Sequence, residues 1–270
     1  MTNQKRKKIT VGIIGATGYA GAELVRILSG HPHVRLTVLT SRQYAGVRFD
    51  QVYPAMQGRV PLVCEAFSME RLEDVCEVIF MALPHKIPMT MIPELIVKGK
   101  KVIDLSADFR FNDPDLYESV YQRHTAKELL GDAVYGLSEI YSKAIQDAVL
   151  IGNPGCYPTS ALLPTIPLLR SGLIELTSII IDAKSGVSGA GRSLSLGTHF
   201  CQDNDSFKAY NVAEHRHNPE IDAILSREAG ESVSVLFVPH LVPMTRGMLT
   251  TQYAGLKTQV TGDDIRACLD

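Results

Sequence analysis

Short β-branched runs alternate, through the first 150 or so residues, with stretches whose apolar positions recur every three or four residues. The runs at residues 10–14, 34–40, 60–64, 78–82 and 101–105 read as strands, residues 22–28 and 69–75 as helices, and residues 87–98 as a connecting segment. Such alternation predicts a parallel sheet with helices on both faces, a doubly wound α/β domain. Residues 112–142 interrupt it as a polar, irregular excursion with a helix near 125–130, and a strand at 149–152 closes a first domain placed at residues 1–152.

The pattern then changes. An apolar helix over residues 158–170 is followed by a β-branched strand at 178–182 and a helix opened by Pro219. Strands at 234–238 and 248–255 read as an antiparallel pair. Together they predict a second, α+β domain over residues 153–270 with a mixed or antiparallel sheet. Residues 261–270 read as the beginning of a helix with Thr261 as its cap, so the chain is expected to be cut rather than finished.

Composition narrows the chemistry. At 270 residues and 45% hydrophobic, the chain has enough apolar material for two domains. A formal net charge of −2 removes the general electrostatic case for nucleic acid or anionic membrane as a partner. The basic run Lys5 to Lys8 reads as a solvated tail; glycines at 12, 15, 18 and 21 break the apolar segment behind it, which argues against a signal peptide, and no other run is long enough to span a bilayer. Five widely spaced cysteines without a paired C-x-x-C motif point to a reducing compartment, no structural metal and, by default, the cytoplasm.

Two places carry recognisable chemistry. The first strand runs into Gly15-Ala16-Thr17-Gly18-Tyr19-Ala20-Gly21 and a helix, the strand–glycine turn–helix arrangement that lets a backbone approach a pyrophosphate. About 20 residues on, where an NAD site presents an acidic side chain, this chain has Ser41 and Arg42, which suit a 2′-phosphate and favour NADP(H). Pro84 and Pro88 stiffen a loop at the same sheet edge. Arg110 stands beyond the next strand, placed either to grip an anion or to pair with Asp108 or Asp113.

The second place is Asn153-Pro154-Gly155-Cys156-Tyr157-Pro158-Thr159. Pro158 suits a first helical turn, so Cys156 is expected just ahead of a helix N-terminus, where exposed N–H groups favour a thiolate. Two further segments offer partners for it. Ser185 to Arg192 is a glycine-rich loop, and Glu214-His215-Arg216-His217-Asn218-Pro219-Glu220 sets two histidines before a helix, with Glu220 placed to orient one of them for proton transfer. The spacing does not choose between His215 and His217.

Read together and in order, the glycine turn, Leu105 to Arg110, P-G-C-Y-P-T, Ser185 to Arg192, H-R-H-N-P-E-I and Pro239 to Gly247 resemble the N-acetyl-gamma-glutamyl-phosphate reductase family of the semialdehyde dehydrogenase superfamily, over nearly the whole chain. The resemblance implies a Rossmann-type first domain. It also implies NADPH-dependent reduction of an acyl phosphate to an aldehyde in arginine biosynthesis, through a thioester on Cys156, with His217 as acid/base and Glu220 orienting it. Gly15, Thr17, Gly18, Tyr19, Gly21, Ser41, Arg42, Pro84, Ser188 and Gly189 would hold the cofactor. Arg110, Arg192 and Arg246 would hold the substrate's phosphate and carboxylate, and the enzyme would be a homo-oligomer, a tetramer by the resemblance. Two readings compete: an aspartate-semialdehyde-type dehydrogenase acting on another acyl phosphate, and an inactive nucleotide-binding fragment. The chain departs from the family at Lys86, where relatives tend to have a small residue, and in stopping before a further strand and helix that contribute to the cofactor pocket.

Overall fold

The computed structural model describes residues 7–257 and 259–269. Lys5 and Arg6 of the basic run, and Asp270 of the helix expected over 261–270, lie outside them. The chain forms two compact units, Met1–Asn153 and Pro154–Asp270.

In the first unit the chain runs β1 (Ile9–Ile14), α1 (Tyr19–Ser29), β2 (Val34–Leu39), α2 (Phe49–Val52), α3 (Met69–Val75), β3 (Val78–Met81), α4 (Pro88–Val97), β4 (Lys101–Asp104), α5 (Pro114–Val120), β5 (Val134–Tyr135), α6 (Ser138–Asp147) and β6 (Leu150–Gly152). The six strands form one parallel sheet in the order β2-β1-β3-β4-β6-β5. β1 pairs with β2 on one side and β3 on the other, so the order reverses at β1 and the crevice beyond its carboxyl end lies at the switch point. Two apolar clusters stabilise the sheet: Val11, Ile13, Val25, Leu39 and Phe49 belong to one, Ile14, Ile79, Met81, Ile92 and Val102 to the other.

Three sequence expectations change here. Residues 60–64 make no strand, only isolated bridges from Val63 to Arg48 and from Glu65 to Thr40; Pro61, having no N–H, cannot fill a ladder position. The helix near 125–130 is a single 3-10 turn, Lys127–Leu129. The excursion at 112–142 holds a helix of its own, α5, whose N-cap Asp113 accepts the Asp115 N–H at 2.9 Å ahead of Pro114.

The second unit runs α7 (Cys156–Arg170), β7 (Ile180–Ser185), α8 (Phe200–Asp203), β8 (Lys208–Ala209), α9 (Asn218–Ala229), β9 (Leu236–Leu241), β10 (Met248–Tyr253) and α10 (Gly262–Leu269). Its sheet is mixed, in the order β10-β7-β9-β8. The expected pairing of the last two strands does not occur: β7 lies between them, antiparallel to β10 and parallel to β9, because α9 serves as the crossover between β7 and β9. α7 lies on this sheet. Its Thr165 hydroxyl donates to Gln252 on β10, and Tyr157, Ala161, Leu162 and Ile166 are buried with Ile221 and Leu225 of α9 and Phe237 of β9. Thr261 caps α10 reciprocally: Asp264 accepts the Thr261 N–H and hydroxyl and gives its own N–H back.

Candidate active site

The glycine turn of the first unit is built for a close ligand. Gly15 takes φ +82°, and a Cβ there would stand 2.4 Å from the Ala82 carbonyl oxygen; one at Gly21 would stand 2.2 Å from the Gly15 oxygen. Gly18 is the N-cap of α1 and supplies no side-chain acceptor, so a phosphate can take the first-turn N–H groups. Tyr19, the first residue of α1, is exposed. The Thr17 and Ser41 hydroxyls bond each other at 2.7 Å, both buried, and Ser41 also accepts the Tyr44 N–H, which joins the turn to the end of β2. Arg42 follows as an exposed guanidinium and Pro84 is exposed on the next loop. A turn closed to a Cβ at Gly15 and Gly21, an uncapped helix start and an exposed arginine after β2 fit NADP(H).

Arg110 is built into the frame of this unit. It is 5% exposed, and its guanidinium donates to the carbonyls of Asn153 at 2.7 Å and Leu105 at 2.8 Å, holding the end of β6 against the loop after β4.

The second unit carries the cysteine. α7 begins two residues earlier than Pro158 predicts: Gly155 is the extended N-cap and Cys156 the first helical residue. Pro158 is tolerated because first-turn N–H groups have no intrahelical partner to lose. Cys156 is therefore exposed inside the first turn rather than ahead of it, where N–H dipoles stabilise an anionic sulfur. Cys64 and Cys76 are buried, and burial pushes both thiols up, away from reactivity.

Cys156 lines a cavity of about 520 Å³ together with Ser185, Gly189, Lys208, Tyr210, Arg216 and His217, among others. His217 is the N-cap of α9, 6% exposed, and its N–H donates to Nδ1 of His215 at 3.1 Å. His215 is packed edge-on among Tyr157, Tyr210 and Phe237, and burial, with the neighbouring Arg216 charge second, pulls its pKa down to about 4. Of the two histidines left open by the spacing, both line the cavity, and His215 Nδ1 supports the backbone of His217. Glu220, 1% exposed, accepts the Gly155 N–H at 2.9 Å and so ties the start of α9 to the start of α7. The Tyr157 hydroxyl bonds that of Tyr210 at 3.0 Å, and burial pushes both phenols up.

The glycine-rich loop is laced to the loop after β9: N–H groups of Gly186, Val187 and Ser188 donate to the carbonyls of Gly247, Met244 and Thr245. Arg192 and Arg246 stand exposed on these two joined loops, while the cations lining the cavity itself are Lys208 and Arg216. Lys208, Tyr157 and Tyr210 carried no local signal; only the pairing of β8 with β9 and the packing of α7 bring them to Cys156.

Comparison with known proteins places both units in one class, the semialdehyde dehydrogenases. The NAD-binding domain of that class matches residues 10–148 and its dimerisation domain residues 156–270. The fold agrees: aspartate semialdehyde dehydrogenase II from Vibrio cholerae, complexed with ASA, superposes with a TM-score of 0.72 at 15% identity, covering 97% of this chain and 79% of that one. The enzyme from Candida albicans with NADP gives 0.66 at 15%, covering 97% and 76%. Among curated proteins, the N-acetyl-gamma-glutamyl-phosphate reductase of Desulforapulum autotrophicum is 52% identical over 261 residues, 97% of this chain and 76% of that protein. Those of Pelotomaculum thermopropionicum, 53% identical over 96% of this chain and 75% of the relative, and Desulforudis audaxviator, 55% over 91% and 71%, are similar. The chain belongs to the N-acetyl-gamma-glutamyl-phosphate reductase family.

Proposed function

We propose that this chain reduces N-acetyl-γ-glutamyl phosphate to N-acetylglutamate 5-semialdehyde with NADPH and releases inorganic phosphate, in arginine biosynthesis. The observation that carries the reading is the shared cavity of Cys156, exposed in a helical first turn, and His217, in a chain of this family. Cys156 Sγ attacks the acyl carbon while His217 takes the thiol proton; the bond from carbon to the phosphate oxygen breaks, phosphate leaves, and a thioester remains on Sγ. NADPH, when bound, supplies the hydride that reduces the thioester carbon. His217 manages the proton on the thiohemiacetal oxygen, and collapse returns the thiolate and frees the aldehyde. Glu220 holds the two helix starts together and orients His217. Lys208 and Arg216 answer the two anionic groups of the substrate, with Arg192 and Arg246 on the adjoining loops.

In the first unit Gly15, Gly18 and Gly21 receive the pyrophosphate and Arg42 the 2′-phosphate, with Thr17, Tyr19, Ser41 and Pro84 around them; the family resemblance gives Ser188 and Gly189 of the second unit to the nicotinamide. Among the described residues no helix is long and apolar enough to cross a membrane. Five free thiols support a cytoplasmic setting. A homo-oligomer is supported by the outer face of the mixed sheet, where Tyr253, Ile180 and Leu236 align in register and stay exposed, with Leu249 exposed further along β10; a tetramer is the specific form we propose.

The test is NADPH oxidation with N-acetyl-γ-glutamyl phosphate or aspartyl phosphate as substrate. Turnover of the former supports the assignment; turnover of the latter alone moves the chain to the aspartate-semialdehyde reading.

A further inference from the structure

Lys86, in the loop between β3 and α4, takes φ +78°, the left-handed region that a lysine seldom enters unaided. The compensation comes from Asp108, in the loop after β4. Its side chain is fully buried and accepts the Lys86 N–H through both carboxylate oxygens, at 2.8 and 3.0 Å. The same carboxylate accepts the Met89 N–H at 3.2 Å and the Tyr117 hydroxyl at 2.8 Å. Ile87, the N-cap of α4, offers no side-chain acceptor, so Asp108 caps that helix from a neighbouring loop.

Asp108 is itself held from three sides. Its carbonyl accepts Nε2–H of the buried His124 at 2.8 Å, its N–H donates to Ser106 Oγ at 3.1 Å, and next to it the Ala107 N–H donates to Nδ1 of His85 at 2.8 Å, a second strap between the same two loops. Two loops at the carboxyl edge of adjacent parallel strands are thus fastened through one carboxylate. The fastened backbone is the one that carries Pro84.

We propose that Asp108 is a positioning residue for the NADPH site: its carboxylate holds the loop between β3 and α4, through the left-handed Lys86, in the shape that meets the cofactor. This rests on reading the carboxyl edge of the first unit's sheet as the cofactor site. An ionised carboxylate satisfies all of these donors. The amide of Asp108→Asn does not, since either way round it turns an NH2 group toward a donor.

NADPH binding is measured by cofactor fluorescence, alongside hydrogen exchange of the peptide spanning residues 83–90 without cofactor. Asp108→Asn is expected to speed exchange in that peptide and to weaken NADPH binding on the order of tenfold, the loss expected when a strained residue is no longer held. Adding Lys86→Gly is expected to bring affinity back to within about twofold, because glycine accepts φ +78° unaided. A merely structural role would not be repaired by one loop glycine. Unchanged exchange in Asp108→Asn overturns the clamp and leaves the cofactor reading standing. Faster exchange with unchanged NADPH affinity leaves the clamp standing and overturns its role in positioning the cofactor site; weaker binding that Lys86→Gly leaves unrepaired overturns the proposal as well, and only a wild-type chain that binds no NADPH overturns the cofactor reading itself. Should Asp108→Asn not fold, Lys86→Val strains the same backbone with Asp108 intact; it is expected to weaken NADPH binding, and unchanged affinity contradicts the clamp.

Discussion

His215 and His217 stand two residues apart in the same segment, and both are buried. His215, enclosed by aromatic rings and beside Arg216, has a pKa pulled down to about 4, while an unfolded histidine titrates near 6.5. Between those values the unfolded chain binds the proton that the folded chain refuses, so stability rises with pH across the window. His215 therefore contributes nothing adverse above pH 6.5 and an increasing cost as pH falls from 6.5 toward 4; denaturant titrations at pH 7 and pH 5 of wild type and His215→Gln should show a steeper loss for wild type. Arg42 makes a prediction of the same scale. Its exposed guanidinium has no role in the core, so Arg42→Asp should leave folding intact and weaken NADPH binding much more than NADH binding, measured by titrating both cofactors. Equal losses would refute a 2′-phosphate contact there.

Elements were legible where the chain writes its own punctuation. The glycine turn between β1 and α1, the proline after Cys156 and the proline after His217 are local signals, and the three helix starts stand within three residues of where those signals put them. Pairing was less legible. Residues 60–64 have strand composition but contain Pro61, and the order β10-β7-β9-β8 depends on a crossover that no short stretch encodes. The surroundings of Cys156 were hidden for the same reason, since Tyr157 meets Tyr210 and Glu220 meets Gly155 only after α7 and α9 pack on the sheet. The last of these bonds is itself testable. Glu220→Ala leaves the buried Gly155 N–H without its acceptor, so we expect a loss of about 1–3 kcal/mol in stability by denaturant titration. Catalysis should fall as well, because both helix starts lose their common anchor.

At the scale of the molecule, a nucleotide-type unit and a cysteine-bearing unit are joined at the Asn153-Pro154 boundary, and the mixed sheet of the second unit exposes Ile180, Leu236, Leu249 and Tyr253 on the face that also carries the Asp182–Lys184 ion pair. Leu249, 63% exposed, lies on the same face of β10 as Tyr253, four residues away and opposite Lys184. If a second copy of the chain covers that face, Leu249→Arg should lower the mass measured by light scattering while circular dichroism stays unchanged; an unchanged mass would show that copies do not meet on this face. The central claim, that Cys156 takes the acyl group from an acyl phosphate, is tested most directly without any cofactor. Mixing the chain with N-acetyl-γ-glutamyl phosphate and quenching in acid should release about one phosphate per chain and leave an acetylglutamyl adduct on the peptide containing Cys156, read by mass spectrometry. No phosphate release by a chain that turns over with NADPH, or an adduct on any other residue, would contradict it.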